Sequence, residues 1–358
     1  MDTTTLTERS FPVTERYVRL AGRTTMNDGI RWMIHSASKA EFILTGTRAS
    51  VTIAGDGTAA SADGTNYARF AVYIDGVRTM DRLVTKAEET VTVFASEQEK
   101  KVTVSLVKLS EAPLSVFGIR RIDVTASEDI RPVPEKKLKI EFIGDSITCG
   151  YGVDDEDPEH HFSTATEDAT RTYAWKTAAA LNADFSCVCY SGHGIISGYT
   201  EADEKLLSHL VPPAYEHIGK NNGSAAGFVD VDQPWDFSRF APDFIVINLG
   251  TNDDSYTKDF PDRREDYTAS YAGFLKTVRK NNPQAHIVAS LGVMGDRLFP
   301  CVRDAVSRYR QETGDSRITT LRYPPQDGST GYSADWHPTE ATQEIAARAL
   351  IGHIRSLL

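Results

Sequence analysis

The sequence predicts two domains of different class: an all-β sandwich, then a three-layer α/β domain built on a parallel sheet. Three observations carry this. The 358 residues exceed what one ordinary core organises. Residues from about 11 to 130 alternate apolar and polar positions between glycine-rich turns, as half-buried strands do. From residue 139 onward, short continuous apolar runs alternate with helical periodicity, as expected when helices cover both faces of a sheet.

In the first half, Phe42-Ile43-Leu44 and Val51-Thr52-Ile53 read as strands. Phe70, Val72 and Ile74 share one strand face, and Asp75-Gly76 follows as a hairpin signal. Val91 and Val93, then Val102, Val104 and Leu106, repeat the period of two. Short strands with frequent turns predict a β-sandwich, and no catalytic constellation stands out among them. The mixed charges and the prolines Pro132 and Pro134 that follow read as a linker. This predicts a β-domain over 1–130, a linker over 131–138 and an α/β domain over 139–358.

In the second half the elements follow in order. Lys139–Ile143 is a strand, about Thr172–Leu181 a helix, and Phe185–Tyr190 a strand. Phe244–Ile247 is a buried strand, 266–280 a helix, and His286–Ser290 a strand. Ile318–Leu321 is a weaker strand, and Pro338–Leu358 is an amphipathic helix with Pro338 fitting its first position.

Composition narrows the function. Hydrophobic residues make up 40% and charged residues 25%, and the formal net charge is -11. An acidic chain is a poor match for nucleic acid or an anionic membrane surface, and suits a neutral substrate. No run approaches the length of a membrane-spanning helix. The start, MDTTTLTERS, lacks the basic and apolar regions of a signal peptide, which predicts a cytoplasmic protein, or a secreted one whose leader has been removed. The four cysteines, Cys149, Cys187, Cys189 and Cys301, are spaced neither for zinc nor for a ready disulfide. They read as buried thiols.

Polar motifs stand at the carboxyl ends of the strands, where open α/β sheets place their sites. The first strand ends in Gly144-Asp145-Ser146, the second in Ser191-Gly192-His193-Gly194, and the third in Gly250-Thr251-Asn252-Asp253. Asp335-Trp336-His337-Pro338 precedes the last helix. Together these supply acyl transfer: Ser146 as nucleophile, His337 as its base, and Asp335 placed to orient the imidazole. The oxyanion donors are the Ser146 N–H, the N–H of Gly192 or Gly194, and the Asn252 side-chain amide. Spacing favours Gly194.

These motifs resemble the SGNH, or GDSL, hydrolase superfamily, with the last block in a short DxH form. Ile140–Gly152, IEFIGDSITCGYG, is similar to the nucleophile segment of the second family of carbohydrate esterases. Gly22-Arg23, Ala71–Gly76 and Val116–Ile119 resemble that family's jelly-roll domain, so the likeness spans nearly the whole chain. It implies a flavodoxin-like SGNH domain behind a jelly roll, and hydrolysis of O-acetyl groups on xylan- or glucomannan-type carbohydrate without metal or organic cofactor. Two arrangements of the base stay open. One is a Ser146–His337–Asp335 triad; the other is a dyad whose histidine is held by a backbone carbonyl. The acid at 335 points to the triad.

Trp336, beside the base, is expected to wall the acetyl pocket or stack on a sugar. The acidic stretch Asp154–His161, ending in His160-His161, reads as a solvated insertion loop bordering the cleft rather than a metal site. Cys149 reads as a packed thiol, and neither Asp253 nor Asp254 is needed for the mechanism. A lipid esterase or thioesterase on the same fold is the alternative enzyme, although no apolar acyl channel is evident. A glycan-binding protein with a decayed site is the alternative from another class, and Ser146, Asn252 and His337 argue against it.

Overall fold

A computed structural model describes residues 5–358 and divides them into two compact units. The first runs to Glu135 and takes in Ile218–Gln233; the second comprises Lys136–His217 and Pro234–Leu358.

The first unit is one curled antiparallel sheet of ten strands. Its centre is two long paired strands, Lys39–Gly55 and Glu88–Lys108, of 17 and 21 residues. The runs expected as separate short strands are therefore halves of two long bent ones. The register shifts between Gly46 and Arg48 and between Ala49 and Ser50, and such irregularities bend strands. The inner face carries Phe42, Leu44, Val51, Ile53, Val91, Val104 and Leu106 into a single core. Asp75 and Gly76, at φ 51° and 81°, form the expected tight turn between Arg69–Ile74 and Val77–Leu83.

Two features depart from the expected boundaries. Arg131 and Pro132 pair with Ile43 and Phe42, so the linker begins as part of the sheet. The segment 218–233, expected within the α/β domain, belongs to the first unit. It is closed by Ile218 N–H donating to Gln233 O at 2.8 Å, and Phe228 sits edge-on to Trp32. Nothing local in the sequence marks this excursion, because its partners lie about 200 residues away along the chain, as in the bond from Asn27 to Phe228 O.

The second unit is a five-stranded parallel sheet in the spatial order Ala183–Cys189, Leu138–Gly144, Phe244–Asn248, His286–Leu291, Ile318–Arg322. In chain order that is 2-1-3-4-5, the flavodoxin-like arrangement. Every residue of the Ala183–Cys189 and Phe244–Asn248 strands is buried, which is why Phe244–Ile247 reads as a continuous apolar run. Tyr173–Ala180 packs with Glu340–Arg355, and Pro261–Asn281 with Phe299–Thr313.

The Phe299–Thr313 helix was not expected, although its buried Val302, Ala305, Val306 and Tyr309 follow helical spacing. The last helix starts at Glu340, capped by the Thr339 hydroxyl, which accepts the Thr342 N–H at 3.4 Å; Pro338 precedes the cap rather than occupying the first turn. No described helix is long and apolar enough to cross a membrane. Cys149, Cys187 and Cys189 are buried thiols outside any disulfide, whereas Cys301, also expected to be buried, is only half-buried.

Candidate active site

The chain enters the parallel sheet at the Leu138–Gly144 strand and leaves to both sides of it, so a crevice opens beyond the carboxyl ends at this switch point. Ser146 stands there as the first residue of a four-residue helix, Ser146–Cys149. Asp145 caps that helix, its Oδ1 accepting the Ile147 N–H at 3.1 Å. Burial pushes the Asp145 carboxyl up to about 7 against that hydrogen bond, with the charges of Cys189 and Asp253 acting the same way as burial. The group next to Ser146 is thus partly neutral near pH 7, which weakens its opposition to a developing oxyanion.

His337 approaches from the loop before the last helix, with Nε2 at 2.9 Å from Ser146 Oγ. Its Nδ1 faces two backbone carbonyls, Asp335 O at 3.1 Å and Ala334 O at 3.2 Å. Both partners are acceptors, so the proton belongs on Nδ1 and the Nε2 lone pair faces the serine. Burial pushes the imidazole down to about 4, opposed by the carbonyls of Asp335 and Ala334 and by the Asp335 charge. The ring is a neutral base at physiological pH.

The expected triad does not form. The Asp335 carboxylate points away from Nδ1 and accepts the Tyr151 hydroxyl at 2.5 Å, His161 Nδ1 at 2.9 Å and the Phe162 N–H at 3.0 Å. The reason is the turn. Ser333 N–H donates to His337 O at 2.9 Å, and Asp335 and Trp336 both take positive φ, 50° and 61°. This curl aims main-chain oxygens at the imidazole and the side chain outward. Positive φ at a bulky tryptophan is a strained geometry of the kind found at functional sites. Burial raises the Asp335 carboxyl, but the bonds from Tyr151, His161 and Phe162 outweigh it and hold the group below its ordinary value.

Gly192 and Gly194 separate by role. The Gly194 N–H donates to His209 O at 3.1 Å, and a Cβ there would lie 2.1 Å from Ser197 O and 2.5 Å from Asp253 Oδ2. Gly194 is required by packing and its donor is engaged, contrary to what spacing favoured. Gly192, at φ 73°, lines the cavity with Ser146. Asn252 also lines it; its Nδ2 donates to His193 O at 2.9 Å and, more weakly, to Asp145 Oδ2 at 3.4 Å.

These residues border a cavity of about 640 Å³, together with Tyr151, Tyr199, Asp254, Ser255, Met294 and Trp336. Tyr199 and Trp336 are 56% and 52% exposed. The Trp336 ring is tilted against Tyr332, with centroids 5.2 Å apart. A concavity of about 690 Å³ on the first unit, lined by Arg9, Arg48 and Arg121 among others, has no nucleophile–base pair.

Sequence reasoning missed three contributors. Tyr151 stacks on the His337 ring, centroids 3.8 Å apart and planes 17° from parallel. Tyr199 had no motif to mark it. Asp253 fixes the second loop by accepting the N–H groups of Ile195, Ile196 and Ser197 at 2.7–3.1 Å. Its position beside Asn252 in the third motif was the available signal. The Asp154–His161 loop does border the site: His161 holds Asp335, while His160 Nδ1 lies 3.1 Å from both carboxylate oxygens of Asp155.

A parallel sheet in this order, with a serine at the end of its first strand and a histidine before its last helix, defines the class of SGNH-type hydrolases. The profile of the carbohydrate esterase 2 N-terminal family matches residues 20–134, and that of the GDSL-like lipase/acylhydrolase family matches residues 142–345. A family two carbohydrate esterase from Clostridium thermocellum, solved in complex with cellohexaose, is 31% identical with a TM-score of 0.79, covering 95% of this chain and 98% of that one. The cellulase/esterase CelE of Acetivibrio thermocellus is 33% identical over 90% of this chain, which spans 37% of CelE's length. An acetylxylan esterase/glucomannan deacetylase of Cellvibrio japonicus is 26% identical over 98% of this chain and 91% of its own. The chain belongs to the GDSL-like lipase/acylhydrolase family and, within it, to carbohydrate esterase family 2.

Proposed function

We propose that the chain is a serine esterase that removes acetyl groups from carbohydrate through an acyl-enzyme. The observation that carries this is the 2.9 Å contact between Ser146 Oγ and a neutral His337 Nε2 in a cavity walled by the exposed rings of Tyr199 and Trp336. His337 takes the serine proton as Ser146 attacks the acetyl carbonyl. The Ser146 and Gly192 N–H groups and the Asn252 amide receive the oxyanion. As the bond from the carbonyl carbon to the sugar breaks, the imidazolium protonates the departing sugar oxygen to release the alcohol, and water repeats the sequence to release acetate. Aromatic faces beside the nucleophile suit sugar rings. The named activity of the Cellvibrio relative supports acetylated xylan or glucomannan as substrate.

The test is acetate release from acetylated xylo- and manno-oligosaccharides, with p-nitrophenyl acetate and octanoate compared in parallel. Release from the oligosaccharides and preference for the acetate ester are expected. Equal or higher kcat/KM on the octanoate would favour a lipid esterase instead.

A further inference from the structure

We infer that Tyr151 is a positioning residue for the base, and that Asp335 acts on His337 through the Tyr151 ring rather than through Nδ1. The inference rests on the serine-esterase reading and deepens it. In a triad, a carboxylate on Nδ1 stabilises the imidazolium formed when the serine proton arrives. Here, among the described residues, Nδ1 meets the carbonyls of Ala334 and Asp335, which orient the ring but carry no net charge.

What covers the imidazole face is Tyr151. The rings lie nearly parallel, 3.8 Å between centroids and 17° between planes. The negative face of an aromatic ring attracts a cation placed over it, and the attraction strengthens where water is excluded. The neutral imidazole gains little from that face and the imidazolium gains more, so the contact favours the protonated state reached during attack.

The ring is held in place from two sides. Phe162 packs on Tyr151 at 4.5 Å between centroids. The Tyr151 hydroxyl donates to Asp335 Oδ2 at 2.5 Å, and His161 Nδ1 and the Phe162 N–H fix that carboxylate. A phenol donating to a carboxylate gathers electron density into its ring, which deepens the negative face turned toward His337. The acid at position 335 thus serves the base at one remove. The insertion loop that ends at His161-Phe162 supplies the clamp.

The experiment replaces Tyr151 by phenylalanine and by a series of increasingly fluorinated phenylalanines, which nearly keep the ring's size while draining the negative potential from its face. A packing role alone would not respond to that series. The expected result is a stepwise fall in kcat on p-nitrophenyl acetate, about 2- to 30-fold across the series, with KM changed less than about twofold. A flat kcat overturns the inference. A double-mutant cycle tests the relay: Asp335→Asn should cost about fivefold with Tyr151 present and less than about twofold in the Tyr151→Phe background. An equal loss in both backgrounds removes Asp335 from the relay. Ser146→Ala is run beside them. Wild-type turnover in that variant would overturn the esterase reading itself, whereas a flat series with Ser146→Ala inactive overturns only the role of Tyr151.

Discussion

The main-chain oxygen of Asp335 lies 3.1 Å from His337 Nδ1, while the carboxylate of the same residue is turned to Tyr151 and His161. Asp335 therefore orients the base with its backbone, which survives side-chain substitution. Asp335→Asn, which tolerates the positive φ of this position, should lower kcat by no more than about tenfold, roughly 1.4 kcal/mol of barrier. Loss of an orienting triad carboxylate costs on the order of 10⁴. Steady-state kinetics, with folding checked by circular dichroism, separates the two; a loss near 10⁴ would restore the triad.

Burial pushes His337 down to about 4, and this fixes the pH profile. The active form is the neutral imidazole, so kcat/KM should hold as pH falls through 6.5 and halve only near 4. The stability sign follows. Between about 4 and 6.5 the unfolded state binds a proton at His337 that the folded state does not, so this group's contribution is present above 6.5 and is lost as pH falls toward 4. An acid limb of kcat/KM centred at 6.5 would contradict the depressed value.

Ser146→Ala should fold and melt like the wild type, since its capping partner Asp145 is untouched. Turnover should fall to a residue of about 10³–10⁴ over the uncatalysed reaction, contributed by the oxyanion donors and binding. More than a tenth of wild-type kcat would show that another group is the nucleophile.

Asn252→Ala should cost about 10²–10³ in kcat, the scale of a lost oxyanion donor. The two glycines should part in thermal melts. Gly192→Ala meets only the strain of φ 73° and stays folded with reduced kcat, whereas Gly194→Ala forces a Cβ against Ser197 O and Asp253 and unfolds the loop. Equal melting temperatures for the two variants would undo the assignment.

Asp253→Ala strips the acceptor from the buried N–H groups of Ile195, Ile196 and Ser197. Each orphaned donor costs about 1–3 kcal/mol, so denaturant unfolding should show a loss above about 3 kcal/mol, together with reduced kcat. An unchanged denaturation midpoint would show that water satisfies these groups and that the loop needs no carboxylate.

The sequence by itself determined the fold class and pointed to Ser146 and His337 as the pair that the structure brings within 2.9 Å. A buried strand such as Phe244–Asn248 is mainly apolar, and the site residues of an open parallel sheet gather at its carboxyl end, so Ser146 and Asn252 at strand ends and His337 before the last helix stood out from their placement. Tertiary structure decided the rest. The Tyr151–Asp335 bond joins residues 184 apart, and the curl at Asp335 and Trp336 selects which oxygen of Asp335 meets His337. The choice between Gly192 and Gly194 depends on where His209 O lies, and segment 218–233 joins the first unit through partners far away in the chain. Periodicity is written in neighbouring residues because helix and strand geometry repeat locally. The aim of a side chain is set by whichever distant loop arrives beside it, and no local pattern records that.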